Sequence, residues 1–172
     1  MQLRVKGIGR SGERYVLHLG EQWVREAAEE GFETAPSELD GALDISAPID
    51  GGRVDVRCVL KASAVRPCDR CGEDVTLSVD VDSLLLYFPE GSVMEATGEI
   101  ELDCEDLDVG WYERGLLDLK DVVRESVVLM LPARLACEDQ MACDARTRKM
   151  LDDCADPDAS VHPAFAALKN LR

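Results

Sequence analysis

Val54-Asp55-Val56-Arg57-Cys58-Val59-Leu60-Lys61-Ala62-Ser63-Ala64-Val65-Arg66-Pro67-Cys68-Asp69-Arg70-Cys71-Gly72-Glu73-Asp74-Val75-Thr76-Leu77-Ser78-Val79-Asp80-Val81-Asp82 is two alternating runs joined by a Cys-x-x-Cys. In the first run Val54, Val56, Cys58, Leu60, Ala62 and Ala64 share one parity, and Asp55, Arg57, Lys61 and Ser63 share the other. Successive side chains of a strand point to opposite faces, so this is a half-buried strand. The second run repeats the pattern, with Val75, Leu77, Val79 and Val81 opposite Asp74, Thr76, Ser78, Asp80 and Asp82. Arg66 to Gly72 is therefore the tip of a β-hairpin, with both cysteines on it.

A Cys-x-x-Cys serves zinc, electron transfer or a disulfide according to its surroundings. A thioredoxin-like pair opens a helix whose dipole lowers the thiol pKa, and no helical pattern follows Cys71. A hairpin knuckle suits zinc, which takes four ligands in a tetrahedron. Further along stand Cys137, Cys143 and Cys154. The expected ligand set is Cys68, Cys71, Cys137 and Cys143, with Cys154 as the substitute fourth ligand. The competing expectation is that these are reduced cysteines without a metal, or a redox-sensing pair whose pKa Arg66 and Arg70 lower and Asp69 raises. Cys58 and Cys104 lie on apolar parities and belong to the core.

The remaining pattern is α+β. Leu3 to Lys6 and Tyr15 to Leu19 are short extended stretches. Gly7-Ile8-Gly9-Arg10-Ser11-Gly12 matches a dinucleotide-binding fingerprint in letters, but a strand-like run follows where that site needs a helix, so the glycines read as a turn. Glu21 to Glu30 is an amphipathic helix anchored by Trp23 and stopped at Gly31. Leu43, Ile45 and Ala47 form a strand, and Asp50-Gly51-Gly52 turns it into the long strand that carries Cys58. Glu99 to Asp103 reads as an acidic edge strand. Asp118 caps a helix that runs to Leu131 with Leu119, Val122, Val123, Ser126, Val127 and Met130 on its apolar face, and Pro132 ends it. Arg134 to Cys143 reads as a loop that a metal organises. Asp156-Pro157-Asp158 is linker-like, and a last helix after His162-Pro163 carries Phe165, Leu168 and Leu171. The expected architecture is an antiparallel sheet with a few helices, residues 1–155 as one domain and 156–172 as linker and short helix, with a zinc knuckle tying the hairpin tip to the C-terminal segment.

Charge narrows the partners. The chain carries 19 basic and 35 acidic residues, a net charge of −16, and no Lys or Arg stands between Arg70 and Arg114. Such a surface repels a phosphate backbone. It is either a solvated face or a docking surface for a basic protein. Arg146, Arg148 and Lys149 form the compact basic cluster, a solvated helix face or a contact for RNA. The start lacks an apolar signal core and no run reaches the length of a membrane span, so the expected location is the cytoplasm. Seven cysteines without a secretion signal fit a reducing compartment. His18 and His162 have no nucleophile or carboxylate arrangement around them, and no P-loop is present; an enzyme is not expected.

The order of the pieces resembles the YceD family of large ribosomal RNA subunit accumulation proteins. The resemblance rests on the Cys68-Asp69-Arg70-Cys71 hairpin, the acidic middle, Gly115-Leu116-Leu117-Asp118-Leu119 opening a helix that ends Met130-Leu131-Pro132, the cysteine segment, and His162-Pro163-Ala164-Phe165-Ala166-Ala167-Leu168-Lys169. It covers roughly residues 40 to 172. It implies a bacterial, non-enzymatic factor supporting synthesis, processing or stability of 23S ribosomal RNA. Joined to the charge, it implies an acidic sheet face that holds a basic large-subunit ribosomal protein or a basic region of a pre-ribosomal particle. Many family members carry more cysteines after the helix than this chain does.

Overall fold

The long alternating runs become the two longest strands of the molecule. The structure, a computed structural model, describes residues 1–47, 52–91 and 109–154. Its strands are β1 (Gln2–Arg4), β2 (Glu13–His18), β3 (Pro36–Ser46), β4 (Val54–Pro67), β5 (Asp74–Pro89), β6 (Val109–Tyr112) and β7 (Leu116–Asp118); its helices are α1 (Gln22–Phe32), α2 (Leu119–Met130) and α3 (Gln140–Cys154). The expected Glu99–Asp103 strand, Cys104, the turn at Asp50-Gly51 and the helix after His162 lie outside the described residues.

The chain divides into two compact units. One comprises Met1–Arg66 with Thr76–Ala133, and the other Pro67–Val75 with the residues from Arg134 onward. The first holds a five-stranded sheet in the order β2-β3-β4-β5-β6 and a two-stranded sheet of β1 and β7. β2 and β4 both run antiparallel to β3, with Leu43 opposite Tyr15 on one side and Cys58 on the other. β6 pairs parallel with β5, Leu86 opposite Val109, so the sheet is mixed.

Strand alternation gives this sheet one apolar face. Val54, Val56, Cys58 and Leu60 are fully buried, as are Leu43 and Leu17, and Leu77, Val79, Val81, Leu85 and Tyr87 continue the face along β5. Each fully buried aliphatic side chain is worth about 1.5–3 kcal/mol relative to exposure. On the solvent face, carboxylates alternate with cations. Arg14 pairs with Asp44 at 3.1 Å, Arg57 with Asp82 at 3.2 Å and Lys61 with Asp80 at 3.0 Å. The acidic surplus expected of the sheet is thus largely matched on the face itself. It accumulates elsewhere: residues 92–108 contain seven acidic residues and no basic one in the sequence, and α1 with the residue that ends it presents Glu26, Glu29, Glu30 and Glu33 along one groove.

α2 begins as its sequence dictates, with the Asp118 carboxylate accepting the Lys120 N–H at 2.9 Å. Leu119, Val122, Val123, Ser126 and Val127 are buried; Met130, on the same expected face, is exposed because it lies at the last turn. α1 differs from expectation at its end. Gly31 lies inside the helix, which continues to Phe32 and stops where Glu33 turns left-handed at φ 58°. The reason is the close approach of α2: a Cβ on Gly31 would stand 3.0 Å from Val127 Cβ and Cγ1. The fully buried residues of α1 are Val24, Ala27, Ala28 and Phe32, whereas Trp23 is half-buried. Lys120 of α2 reaches Glu30 at 2.7 Å and Glu26 at 3.5 Å on α1.

Near the N-terminus the extended stretch ends sooner than expected, since Val5–Gly7 is a 3₁₀ turn after β1. The glycines that follow close a turn, with Gly12 N–H donating to the Gly9 carbonyl at 2.9 Å, and β2 comes next. No helix opens there to receive a pyrophosphate. No helix among the described residues is long and apolar enough to cross a membrane.

Candidate metal centre

The second unit is built around sulfur. β4 ends at Pro67 and β5 resumes at Asp74, and the six residues between them form a tight knuckle. Cys68 N–H donates to the Glu73 carbonyl at 2.8 Å, and Gly72 N–H donates to the Cys68 carbonyl at 2.9 Å. Gly72 takes φ +71°, with nothing within 4 Å of the place a Cβ would occupy. Its requirement is conformational, the left-handed backbone that glycine adopts without a steric penalty.

Asp69 joins this knuckle to the segment after α2. Its N–H donates to the Leu135 carbonyl at 2.9 Å, and its carboxylate accepts the Leu135 N–H at 2.7 Å. Two residues later the chain presents Cys137. The following loop becomes a helix earlier than the sequence suggests, because Asp139 caps it, accepting the Ala142 N–H at 2.9 Å. Cys143 therefore sits on the first turns of α3 and not on a loop. Arg146 and Thr147, three and four residues on, share its face. Arg70 and Asp144 form an ion pair that again links knuckle to helix.

These constraints bring Cys68, Cys71, Cys137 and Cys143 together. Their four Sγ atoms all lie within 4.8 Å of one another, with Cys68–Cys143 at 3.8 Å and Cys71–Cys137 at 3.5 Å. Four sulfurs bound at about 2.3 Å to one tetrahedral ion stand about 3.8 Å apart. The group therefore has the dimensions of a four-thiolate metal site, and it could hold a metal ion. Cys68, Cys71 and Cys143 are buried and Cys137 is half-buried. Cys154 is exposed at the end of α3 and outside the group. At about 1.5 Å per residue, eleven residues of helix carry it about 16 Å from Cys143.

Hydrogen bonds divide the sulfurs into two kinds. The Cys68 thiol is lowered to about 6, first by the backbone N–H of Cys71 and next by that of Arg70, whose nitrogen lies 3.5 Å from the sulfur. Cys71 is lowered chiefly by the Arg146 guanidinium, which donates from Nε at 3.5 Å. Cys137 is raised, above all by its hydrogen bond to Cys71, and Cys143 is pushed up to about 12, burial being the largest cause. Without metal, the group holds two sulfurs disposed to be thiolates and two disposed to keep protons.

The three cationic candidates separate. Arg146 is half-buried with its guanidinium on the sulfurs, Nη2 lying 3.3 Å from Cys137 Sγ and Nε 3.8 Å from the Glu73 carboxylate. Arg148 and Lys149 are exposed. Sequence reasoning missed the sulfur contacts of Arg146 and both bonds of Asp69. The available signal was Asp139 as a helix cap, which would have placed Arg146 one turn beyond Cys143.

An α+β protein whose hairpin tip carries half of a four-cysteine cluster that could hold a metal ion is the class that this fold and site define. Residues 56–172 match the family model described as large ribosomal RNA subunit accumulation protein YceD, and the chain belongs to that family. No curated protein and no solved structure matches it.

Proposed function

We propose that the protein is a non-enzymatic factor for synthesis, processing or stability of 23S ribosomal RNA during large-subunit production, held in its working shape by one structural zinc ion on Cys68, Cys71, Cys137 and Cys143. The observation that carries the zinc reading is the sulfur geometry: four thiolates at tetrahedral spacing, which suits zinc. Four protein ligands leave no open position, which is the mark of a structural site and not a catalytic one. The ribosomal reading rests on the family match.

The action is to hold a basic ribosomal protein or a basic region of a pre-ribosomal particle. The net charge of −16 supports this, and the pairing of charges across the sheet directs it to the α1 glutamates and the acidic stretch 92–108. RNA contact, where it occurs, falls to Arg148 and Lys149. Depletion in the native host tests the function: 23S relative to 16S ribosomal RNA falls, and affinity capture returns a basic large-subunit protein. Normal large-subunit levels together with capture of no ribosomal material overturn it. If the captured material is naked ribosomal RNA with a steep salt dependence, the protein-holding reading fails and direct contact replaces it.

A thiol sensor or zinc store is the second reading, favoured by the depressed Cys68 thiol. Alkylation that is slow in purified protein and fast after chelation supports structural zinc. Equally fast alkylation before and after, with no stoichiometric zinc in reduced protein, supports the sensor.

A further inference from the structure

We propose that Arg146 is a positioning residue of the metal centre, a two-pronged clamp that fixes Cys137 against Cys71, and that it is thereby withdrawn from any nucleic-acid contact. The inference rests on the zinc reading above.

Of the four sulfurs, that of Cys137 has the weakest local support. Cys68 and Cys71 are held by the closed knuckle and its left-handed Gly72, and Cys143 by a capped helix. Cys137 stands in the short segment between Leu135 and Asp139, half-buried. Arg146 supplies what the backbone does not: Nη2 reaches Cys137 Sγ at 3.3 Å while Nε reaches Cys71 Sγ at 3.5 Å. One planar group thus spans two ligands that are 66 residues apart in sequence. The fork shape matters, because an ammonium is a point charge and cannot hold two acceptors at a fixed separation. Glu73, 3.8 Å from Nε, steadies the guanidinium from the knuckle side.

Charge gives the second reason. Four thiolates around a divalent ion leave two negative charges, and three of these cysteines are at most 7 % exposed. Buried charge is costly unless it is compensated, and a guanidinium donating to two sulfurs both compensates it and orients them. Arg148, two residues on, is exposed and touches no sulfur among the described residues, which makes it the internal control.

The test compares wild type with Arg146→Met, Arg146→Lys and Arg148→Met, each loaded with zinc and titrated against a chromophoric chelator, with cobalt substitution reporting ligand geometry. Outer partners of metal ligands typically contribute about 10–100-fold in affinity. Arg146→Met should lose affinity in that range, Arg146→Lys should lie between it and wild type, and Arg148→Met should match wild type. Alkylation mapped by mass spectrometry should reach Cys137 several-fold faster, relative to Cys68, Cys71 and Cys143, in zinc-loaded Arg146→Met than in zinc-loaded wild type. Equal affinity in wild type and Arg146→Met, or a relative rate of Cys137 alkylation unchanged from wild type, overturns the clamp while leaving the zinc site standing. Failure of wild type itself to bind zinc or cobalt overturns the zinc reading. Should Arg146→Met not fold, Arg146→Lys alone decides: affinity equal to wild type shows that charge without the fork suffices, and the clamp is wrong.

Discussion

The two units solve the same problem with different materials. In the first, burial does the work: Phe32, Leu17, Leu43, Ile45, Leu60 and Leu119 are among a large set of side chains removed from water. In the second, the described buried residues are Cys68, Cys71, Leu135 and Cys143. Among the described residues, three cysteines and one leucine provide little apolar area to offset ordering a knuckle, a loop and a 15-residue helix. A metal held by Cys68, Cys71, Cys137 and Cys143, as proposed above, would supply what burial among these residues does not. On that proposal, ligand bonds substitute for a core that the described residues of this unit do not make.

The comparison can be broken most forcefully in the first unit. Val127 is fully buried on α2, and Val127→Asp places an unpaired carboxylate there at a cost of more than about 4 kcal/mol. The expected result is loss of the cooperative thermal transition followed by tryptophan fluorescence, since Trp23 and Trp111 both lie in that unit. A melt close to wild type would show that its core is not the source of its stability.

Removing metal should have the opposite distribution. After chelation, amide-exchange protection in residues 67–75 and 134–154 should fall by about 100-fold or more, while protection in β3 and β4 changes little. Equal loss in both units would sink the contrast.

Acid sharpens it further. Cys68 and Cys71 are lowered whereas Cys137 and Cys143 are raised, so Cys137 and Cys143 keep protons that metal must displace near neutral pH. Metal affinity should therefore fall as pH falls, by at least about a hundredfold per unit for the protons displaced from Cys137 and Cys143, and more steeply below about 6 as Cys68 also protonates. In the metal-free protein the sign for Cys68 is the same: its depressed pKa contributes stability above the ordinary thiol value, which is lost as pH drops through about 6. Chelator competition at several pH values measures the slope; a flat profile contradicts a thiolate site.

The smallest expected effect lies between α1 and α2. Alanine normally improves a helix by about 1 kcal/mol over glycine. At Gly31 the added Cβ meets Val127 at 3.0 Å, so Gly31→Ala should instead destabilise by about 1 kcal/mol. A rise in Tm would mean that the two helices can part without loss.

Legibility followed the range of each interaction. The hairpin, its buried parity and α2 with its Asp118 cap were readable, because strand alternation, helical spacing and capping act over a few residues. The end of α1 was misplaced because Gly31 answers to Val127, about a hundred residues away, and not to its own helix. The start of α3 was missed because the cap at Asp139 lies inside a stretch whose cysteines suggested a loop. The solvent face of the sheet looked acidic in composition, yet Arg57 and Lys61 meet Asp82 and Asp80 only across the strands.

The cysteines show the division most clearly. Their number, the Cys-x-x-Cys on a hairpin tip and the absence of a helix after it determined that a metal-ligand set was in question. Which of three downstream cysteines complete it was decided by the fold: Asp69 holds Leu135, Asp139 starts α3, and the helix then turns Cys143 inward and carries Cys154 away. The same helix turned Arg146 from a solvent cation into a sulfur partner. Local propensities are written residue by residue, but a ligand shell exists only where distant segments converge.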